Sequence, residues 1–409
     1  MANSNHELKM FAEWRVQDMH NHLLDRFLST LVFLSAALLL CTPAWSADWA
    51  ISPYVTMIEE YNDNILFSSE GQELDDMVTY VRPRVELRYD TDRLRLSWNS
   101  GVEAEKYLDY DEFDTIDHDH KLALSYGLSG TLGLRAGGYF REDTTLETEL
   151  IEEGLLVDRE DRRKFGGNLG FDYAFSKRLF FSGGWTRGYT EYPDDPDDFD
   201  DRQSDTFDFA PRYVLSPKTS LFLKMVHTKT EYDEEGDPSI TNYLIIPSFR
   251  HNFAEDFYIS GGAGYRYTED KTASRDEHDD GFVFDLSFHR DWKKVSMELL
   301  ASRDQYSTVD EYSVERDRLT LKGTYRLSAR FRTSVAATFQ RNRVDEGGDD
   351  HDYFTVTPAL SYDLTPTIAL KGSVDYSEYD YKDINNADRE RFRARLALHF
   401  NWPRLWSGK

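Results

Sequence analysis

The sequence is poor in three features that most proteins of this length contain. Its 409 residues include a single cysteine, Cys41, which excludes a disulfide framework and a thiolate metal site. Basic residues are outnumbered, and the net charge of -27 argues against nucleic acid as a partner, because phosphates would be repelled. Beyond the first fifty residues, no apolar run is long enough for a membrane-spanning helix.

Aromatic residues, in contrast, are abundant. They make up 14% of the chain, with 25 Tyr and 26 Phe. Acidic disordered chains are poor in such residues, so this composition excludes disorder. The mean hydropathy is low, -0.65, and beyond the first fifty residues the apolar residues are dispersed rather than grouped. Together these values predict a folded, all-β chain.

The one long apolar run lies near the N-terminus. Arg26 precedes an apolar segment at 27–41, and small residues follow up to Ser46. This order is typical of a secretory signal peptide, which we predict at residues 1–46, with Met19 as an alternative start. Two other interpretations stay open. A membrane anchor would need ~20 apolar residues, and acylation of Cys41 would need a small residue where Leu40 stands.

From Pro53 onward the sequence repeats a hairpin pattern. Stretches of alternating apolar and polar residues are separated by two kinds of connection. One kind is short, as at Ser176-Lys177, and the other is long and acidic, as at 193–201. Short turns at one end and long polar loops at the other are typical of an outer-membrane β-barrel.

The length of the alternating runs supports the same fold. In the last run, Phe392, Ala394, Leu396 and Leu398 alternate with Arg391, Arg393 and Arg395. A soluble sandwich could also alternate in this way, but globular strands average about 5–6 residues, whereas tilted membrane strands need ~9–11. We predict a transmembrane antiparallel up-and-down β-barrel of about 18 strands, with 16 as the alternative.

The predicted barrel occupies residues 47–402, with both termini periplasmic, and residues 403–409 form a short C-terminal tail. Tyrosines gather near the predicted strand ends, as at Tyr107, Tyr192, Tyr265 and Tyr379. Amphipathic rings at this height predict an aromatic girdle at the membrane surface.

Two segments resemble a known family. The first strand ends in Tyr61-Asn62-Asp63-Asn64, and Val81-Arg82-Pro83-Arg84-Val85 follows in the next strand. These segments resemble the outer-membrane β-barrel porins associated with exopolysaccharide and PEP-CTERM gene clusters in Gram-negative bacteria. Leu396 to Trp402 resembles the terminal strand signal of barrel proteins, although Pro403 to Lys409 extend beyond it.

The resemblance implies a location in the Gram-negative outer membrane and a passive conduit or accessory role in exopolysaccharide export or surface assembly. The partners expected are outer-membrane lipid and lipopolysaccharide, the barrel-assembly machinery, and polysaccharide or small anionic solutes. The alternative is a non-transporting structural or adhesive barrel that presents its acidic loops. The resemblance supplies no catalytic residue.

A basic stripe is predicted on the lumen side of the barrel seam. Its residues are Arg82, Arg84, Arg88, Arg93, Arg95, Arg391, Arg393 and Arg395. Arginines bind carboxylates through a bidentate fork, so the stripe could guide anionic solutes. Equally, Glu86, Glu103 and Glu105 could neutralise it in a structural ladder.

Clusters of acids and histidines suggest weak candidates for metal binding. They are Asp117, His118, Asp119 and His120, together with Asp194, Asp195, Asp197 and Asp198. Carboxylates are hard ligands for divalent cations, but no calcium-loop spacing occurs, which favours solvated surface charge. No Gly-x-Ser-x-Gly elbow, His-Glu-x-x-His pair or phosphate-binding glycine loop is present, so we expect neither an enzyme nor a cofactor.

Overall fold

A computed structural model describes residues 47–152, 158–193, 199–233, 238–272, 275–307, 313–344, 350–382 and 388–408. The predicted signal peptide, residues 1–46, lies outside these ranges. Residues Asp48–Gly408 form one compact unit. Among the described residues, no helix is long and apolar enough to cross a membrane.

The unit consists of long strands joined by alternating short and long connections. The first nine are β1 (Asp48–Asn62), β2 (Asp76–Asp90), β3 (Leu94–Tyr107), β4 (Thr115–Gly127), β5 (Leu132–Thr144), β6 (Asp161–Ala174), β7 (Leu179–Glu191), β8 (Arg202–Ser216) and β9 (Thr219–Tyr232). The next nine are β10 (Ser239–Ala254), β11 (Phe257–Thr272), β12 (Arg275–Asp291), β13 (Val295–Ser307), β14 (Ser313–Arg326), β15 (Phe331–Val344), β16 (His351–Asp363), β17 (Ile368–Tyr381) and β18 (Arg389–Asn401). A helix, α1 (Thr145–Glu152), follows β5, a 3-10 turn covers Asp111–Phe113, and a short strand, β19 (Trp406–Gly408), follows β18.

The strands close into a ring. Each of β2 to β18 pairs antiparallel with its predecessor, and β1 pairs with both β2 and β18. The closing ladder runs from Tyr54 opposite Asn401 to Asn62 opposite Arg393. Closure leaves no edge strand among them. The predicted up-and-down barrel of 18 strands is therefore confirmed, and the alternative of 16 is not.

Several short turns share one hydrogen-bond pattern that the sequence encodes. The Ser176 hydroxyl oxygen accepts bonds from the backbone N–H groups of Arg178 and Leu179, at 3.2 and 3.0 Å. Ser216 and Ser328 do the same in their turns. Serine favours such turns because its hydroxyl replaces a backbone acceptor locally.

The two faces of the barrel wall differ in chemistry. Large apolar side chains such as Leu169, Phe207 and Leu396 are more than half exposed on one face. The opposite face carries buried charges, including Arg162 and Glu60, both with 0% of their surface exposed. A single-layered ring can cover charged groups only on its inside, so the charged face lines the lumen and the apolar face lies outside.

The aromatic prediction was wrong for part of the set. Tyr265 is half exposed on the outer face. Tyr107, Tyr192 and Tyr379 are instead buried, at 5%, 3% and 1% exposure. Strand-end position alone does not determine whether a ring faces out or in, because alternate residues of a strand point to opposite faces.

Residues beyond β18 return to the wall. Strand β19 pairs with Trp49 to Ile51 at the start of β1. Arg404, at a φ of 54°, donates its backbone N–H to the Ser52 hydroxyl at 3.0 Å. The predicted tail at 403–409 thus contains a short strand that extends the ladder on β1.

Candidate functional site: the lumen and its loop-end mouth

The seam brings most of the predicted basic stripe together. Arg82, Arg84 and Arg88 on β2 face the lumen, and so do Arg391, Arg393 and Arg395 on β18, with β1 between the two strands. Arg95 lies at the turn end of β3 and is exposed, and Arg93 lies in the turn before β3. Six of the eight arginines therefore share one region of the inner wall.

Carboxylate groups contact Arg82, Arg84, Arg88, Arg393 and Arg395. The closest contacts are Arg82 with Glu103 at 2.5 Å, Arg84 with Asp119 at 3.0 Å, Arg88 with Glu86 at 2.7 Å, Arg393 with Asp375 at 2.8 Å, and Arg395 with Glu60. Glu86 and Glu103 are two of the neutralising partners that the sequence predicts. Glu105, the third, lies 3.9 Å from Arg159 instead.

The pair of Arg393 and Asp375 is the most enclosed of these contacts. Both residues are 5% exposed. Asp375 also accepts a hydrogen bond from the Thr357 hydroxyl at 2.6 Å. Burying two charges is tolerated when they meet each other and their remaining hydrogen-bonding capacity is used. This ion pair therefore connects β17 to β18, next to the seam where β18 pairs with β1.

The segment Tyr61-Asn62-Asp63-Asn64, at the end of β1, has a structural role at the loop end of the barrel.

 It lies at the end of β1, where Asn64 is 1% exposed. The Asn64 amide donates hydrogen bonds to the carbonyl oxygens of Ser68 and Glu390, at 2.8 and 3.0 Å. Its side-chain oxygen accepts the Ser68 N–H at 2.7 Å. Asn64 therefore bends the first long loop and fastens it to β18.

This bend places Phe67 in the mouth of the barrel. Phe67 has a φ of 52°, a left-handed conformation that is costly for an aromatic residue, and its side chain is 0% exposed. It packs in one cluster with Leu150 of α1 and with Tyr353 and Tyr379 of the wall. The Arg391 guanidinium lies 4.6 Å from the centre of the Phe67 ring, a cation–π distance.

Helix α1 narrows the mouth from another side. Its residues Thr145, Leu146 and Leu150 are buried, which requires that the helix turn into the lumen. Arg162 of β6 fixes the start of α1. Its guanidinium donates two hydrogen bonds to the Asp143 carboxylate, each 3.0 Å, and one to the Thr148 hydroxyl at 2.8 Å. The first loop and α1 thus meet in a contact that partly fills the loop end of the lumen.

The structure separates the first group of metal candidates. Asp117 and Asp119 belong to the lumen face of β4, whereas His118 and His120 belong to its outer face. Within the described ranges, no three His, Cys, Asp or Glu residues are grouped so as to hold a metal ion. Asp194, Asp195, Asp197 and Asp198 lie outside those ranges. The hypothesis of a site at 117–120 is therefore corrected, because strand alternation divides its ligands.

A family model agrees with a porin-like barrel. The family model described as putative beta-barrel porin 2 matches residues 47–243. No curated protein matches the sequence. Similar solved structures include the outer membrane protein OpdK from Pseudomonas aeruginosa, with 10% identity over 86% of this chain and 99% of that chain and a TM-score of 0.47.

Two further structures have the same degree of likeness. OpdO from Pseudomonas aeruginosa has 12% identity over 88% of this chain and 98% of that chain, with a TM-score of 0.49. OccAB2 from Acinetobacter baumannii has 9% identity over 87% and 98%, with a TM-score of 0.49. The family match bears out the resemblance inferred from the opening strands: residues 47–243 are similar to the putative beta-barrel porin 2 family, and the chain is an outer-membrane, porin-like β-barrel.

Proposed function

We propose that this chain is a passive, non-catalytic conduit for small polar solutes across the outer membrane. The observation that carries the proposal is the closed ring with an apolar outer face and a charged inner face. A polar lumen inside a lipid-facing wall is what a water-filled path requires. The mouth formed by Phe67 and α1 narrows this path and limits the size of the solute.

The orientation follows from the two kinds of connection. The short turns and both ends of the barrel, at Asp48 and Asn401, lie at one rim, and the long acidic loops start from the other. Outer-membrane barrels have short periplasmic turns and longer external loops. This rule supports our proposal that both ends of the barrel face the periplasm. We further propose that the conduit acts in exopolysaccharide export or surface assembly. The sequence resemblance alone supports this more specific role.

For the basic stripe, we favour the structural ladder over the anion path. Five of its arginines have carboxylate partners, so their charges are largely compensated within the wall. An ion pair of this kind contributes little net field to a passing solute. The stripe thus joins the strands beside the seam, and solutes pass along other parts of the wall.

Single-channel recording in planar bilayers tests the proposal. The purified full barrel should give discrete conductance steps, whereas the same preparation unfolded by heat should give none. A folded barrel that produces no steps would overturn the conduit and support the rival function, a structural or adhesive barrel that presents its acidic loops. Entry of neutral sugars into vesicles that contain the barrel provides a second measure of an open lumen.

A further inference from the structure

The backbone ladder between β12 and β13 is incomplete. It runs from the short turn that joins the two strands up to Phe284 opposite Arg303, and the described pairing stops there. Above this level β12 continues to Arg275 in its ladder with β11, and β13 continues to Ser307 in its ladder with β14. Within the described ranges, the loop-end half of the wall therefore has no ladder at this one boundary.

One side chain shows that this boundary is an opening in the wall. Gln305 lies two residues above Arg303 and, opposite Glu315 of β14, belongs to the outer face. Its side-chain oxygen nevertheless accepts hydrogen bonds from Arg266 and, at 2.6 Å, from the Thr268 hydroxyl, and both donors lie on the lumen face of β11. A side chain that starts on the outer face reaches the lumen face of a strand two positions away only where no ladder blocks it.

A glycine in the intervening strand permits this contact. Gly281 of β12 lies opposite Arg266, and a Cβ atom there would be 2.5 Å from the Arg266 Nη2 atom. The guanidinium therefore crosses β12 on the lumen side, where it also forms an ion pair with Asp279 at 2.7 Å. Side chains thus join β11, β12 and β13 at the level where the ladder is missing.

The opening begins inside the apolar band of the barrel. Phe284 lies seven residues from Asp291, the short-turn end of β12. This distance corresponds to about 18 Å of height in a strand tilted by about 40°, and the apolar band of such barrels is about 25 Å tall. Beside the opening, the rings of Phe282 and Phe284 lie 6.1 Å apart on the outer face, and Arg303 forms an ion pair with Asp317 at 2.6 Å. Aromatic rings next to charged groups are typical of the depth where hydrocarbon meets lipid head groups.

On the lumen side the opening meets a cavity of about 410 Å³. Gln305 lines it together with Ser204, Thr228 and Asn242. This volume falls in the range of roughly 300–1,000 Å³ that is typical of small-molecule sites. The hydroxyl and amide groups of the lining suit a polar head group. Gln305 therefore lies between a polar cavity and the lipid-facing surface.

We propose that single-chain amphipathic molecules pass sideways between this cavity and the lipid leaflet at the loop end. The passage, here named the lateral port, lies between Phe282 and Val283 of β12 and Asp304 and Gln305 of β13. The head group occupies the cavity, and the alkyl chain leaves through the lateral port along Phe282. The head is uncharged, because a charged group at this depth of the membrane is costly. Gln305 closes the lateral port and moves aside during passage. This function goes beyond the proposed conduit, since it requires the lumen but no flow along the barrel axis.

Photolabelling tests the lateral port without requiring conductance. The purified full barrel is placed in phosphatidylcholine vesicles that contain dodecyl glucoside with a diazirine on its sugar, and mass spectrometry maps the labelled residues. We expect labels on cavity residues such as Ser204 and Thr228. Labels on outer-face residues such as Phe207, which any membrane probe produces, serve as the internal standard.

A disulfide can lock the lateral port, because the described residues contain no cysteine. Val283→Cys with Asp304→Cys places the pair where the ladder would continue above Phe284 and Arg303. Oxidation should lower cavity labelling about tenfold relative to the outer-face standard, because it removes the open state from the equilibrium. Reduction should restore the labelling.

Two matched variants serve as controls. Leu286→Cys with Ala301→Cys forms a disulfide within the existing ladder and should leave cavity labelling unchanged. Gln305→Ala should raise cavity labelling about threefold, because the closed state loses its hydrogen bonds. Gln340→Ala, at a buried glutamine that accepts a hydrogen bond from Arg318 elsewhere on the wall, should not raise it. Heat-modifiable migration in gels verifies that each variant folds.

The outcomes separate the lateral port from the conduit. Absence of cavity labels in the original barrel, equal labelling of the oxidised and reduced lock, or equal labelling of the two glutamine variants would overturn the lateral port. Lock-dependent labelling in a barrel that shows no conductance would retain the lateral port and remove the conduit. Conductance without cavity labels would remove the lateral port alone.

Discussion

The side-chain amide of Asn64 donates a hydrogen bond to the backbone carbonyl of Glu390, at 3.0 Å. A residue that follows the first strand thereby holds the last strand, above the point where their ladder ends at Asn62 and Arg393. Asp63 adds a second connection, because its carboxylate accepts the Phe392 N–H at 2.8 Å. Closure of the barrel and folding of the first loop are therefore coupled at a single short segment.

Replacing Asn64 should weaken both the closure of the barrel and the folding of the first loop. Asn64→Ala leaves partly buried backbone groups of Ser68 and Glu390 without their partner. A fully buried group left unsatisfied costs about 1–3 kcal/mol, so we expect a loss at or below the lower end of that range for each group. We expect a lower midpoint of urea unfolding and noisier channel currents, because Phe67 loses its fixed position. Asn401→Ala, an exposed asparagine at the opposite rim, is the control and should change neither measurement.

Shortening Leu150 should open the mouth. In Leu150→Ala the side chain leaves the cluster with Phe67, Tyr353 and Tyr379, and the lost burial costs about 2–5 kcal/mol of local packing. Because α1 is a small part of the barrel, we expect the ring to stay folded while the single-channel conductance rises. Leu108→Ala, at a residue 71% exposed, serves as the control. An unchanged conductance would show that α1 does not restrict the path.

The buried ion pair of Arg393 and Asp375 offers a test of whether the basic stripe is structural. Arg393→Ala leaves Asp375 buried without its main partner, so we expect a loss of about 3–5 kcal/mol in unfolding free energy. The double variant Arg393→Ala with Asp375→Ala should recover part of this loss, since no lone charge is left. The ratio of cation to anion permeability, from reversal potentials, should be nearly the same in the double variant and the original barrel. A large shift in that ratio would instead support an anion path along the stripe.

A carboxyl group outside the strands gives a pH-dependent contribution. The pKa of Asp114 lies below its ordinary value of 3.8, first because the Lys106 ammonium group donates a hydrogen bond to it and second because the Tyr107 N–H does. A lowered pKa stabilises the fold above the ordinary value, and the effect is lost as the pH falls through the folded-state pKa. Asp114→Asn should therefore lower the unfolding midpoint slightly at pH 7, and the difference should vanish in acid. A difference that persists in strong acid would contradict this electrostatic origin.

The fold was predictable because its signals are local. Alternation of apolar and polar residues repeats along the chain, and serine turns such as those at Ser176, Ser216 and Ser328 mark several of the short connections. The last alternating run, which the sequence shows from Arg391 to Leu398, lies within the observed strand β18, Arg389–Asn401. The inward position of Arg391, Arg393 and Arg395 also follows directly from alternation along β18.

The lumen contacts were harder to predict because they depend on register. Asp375 and Glu60 contact their arginines only because neighbouring strands pair in one particular register. The lengths of the connections influence this register but do not determine it. Helix α1 lies within a long connection that has no strand alternation, and its burial depends on residues far away in the sequence. The separation of His118 and His120 from Asp117 and Asp119 could be predicted from the sequence, because alternate residues of a strand point to opposite faces.

The return of β19 to the start of β1 has a consequence for the connectivity of the chain. Gly408 lies opposite Trp49 in an antiparallel ladder, so the two ends of the ring are already neighbours. A short linker between them would need to span only one turn, of the kind that joins other hairpins at this rim. New termini could then be opened in one of the long connections, where strands are not interrupted. Joining the ends and cutting elsewhere leaves every pair of neighbouring strands unchanged. A circularly permuted chain should therefore close into the same barrel.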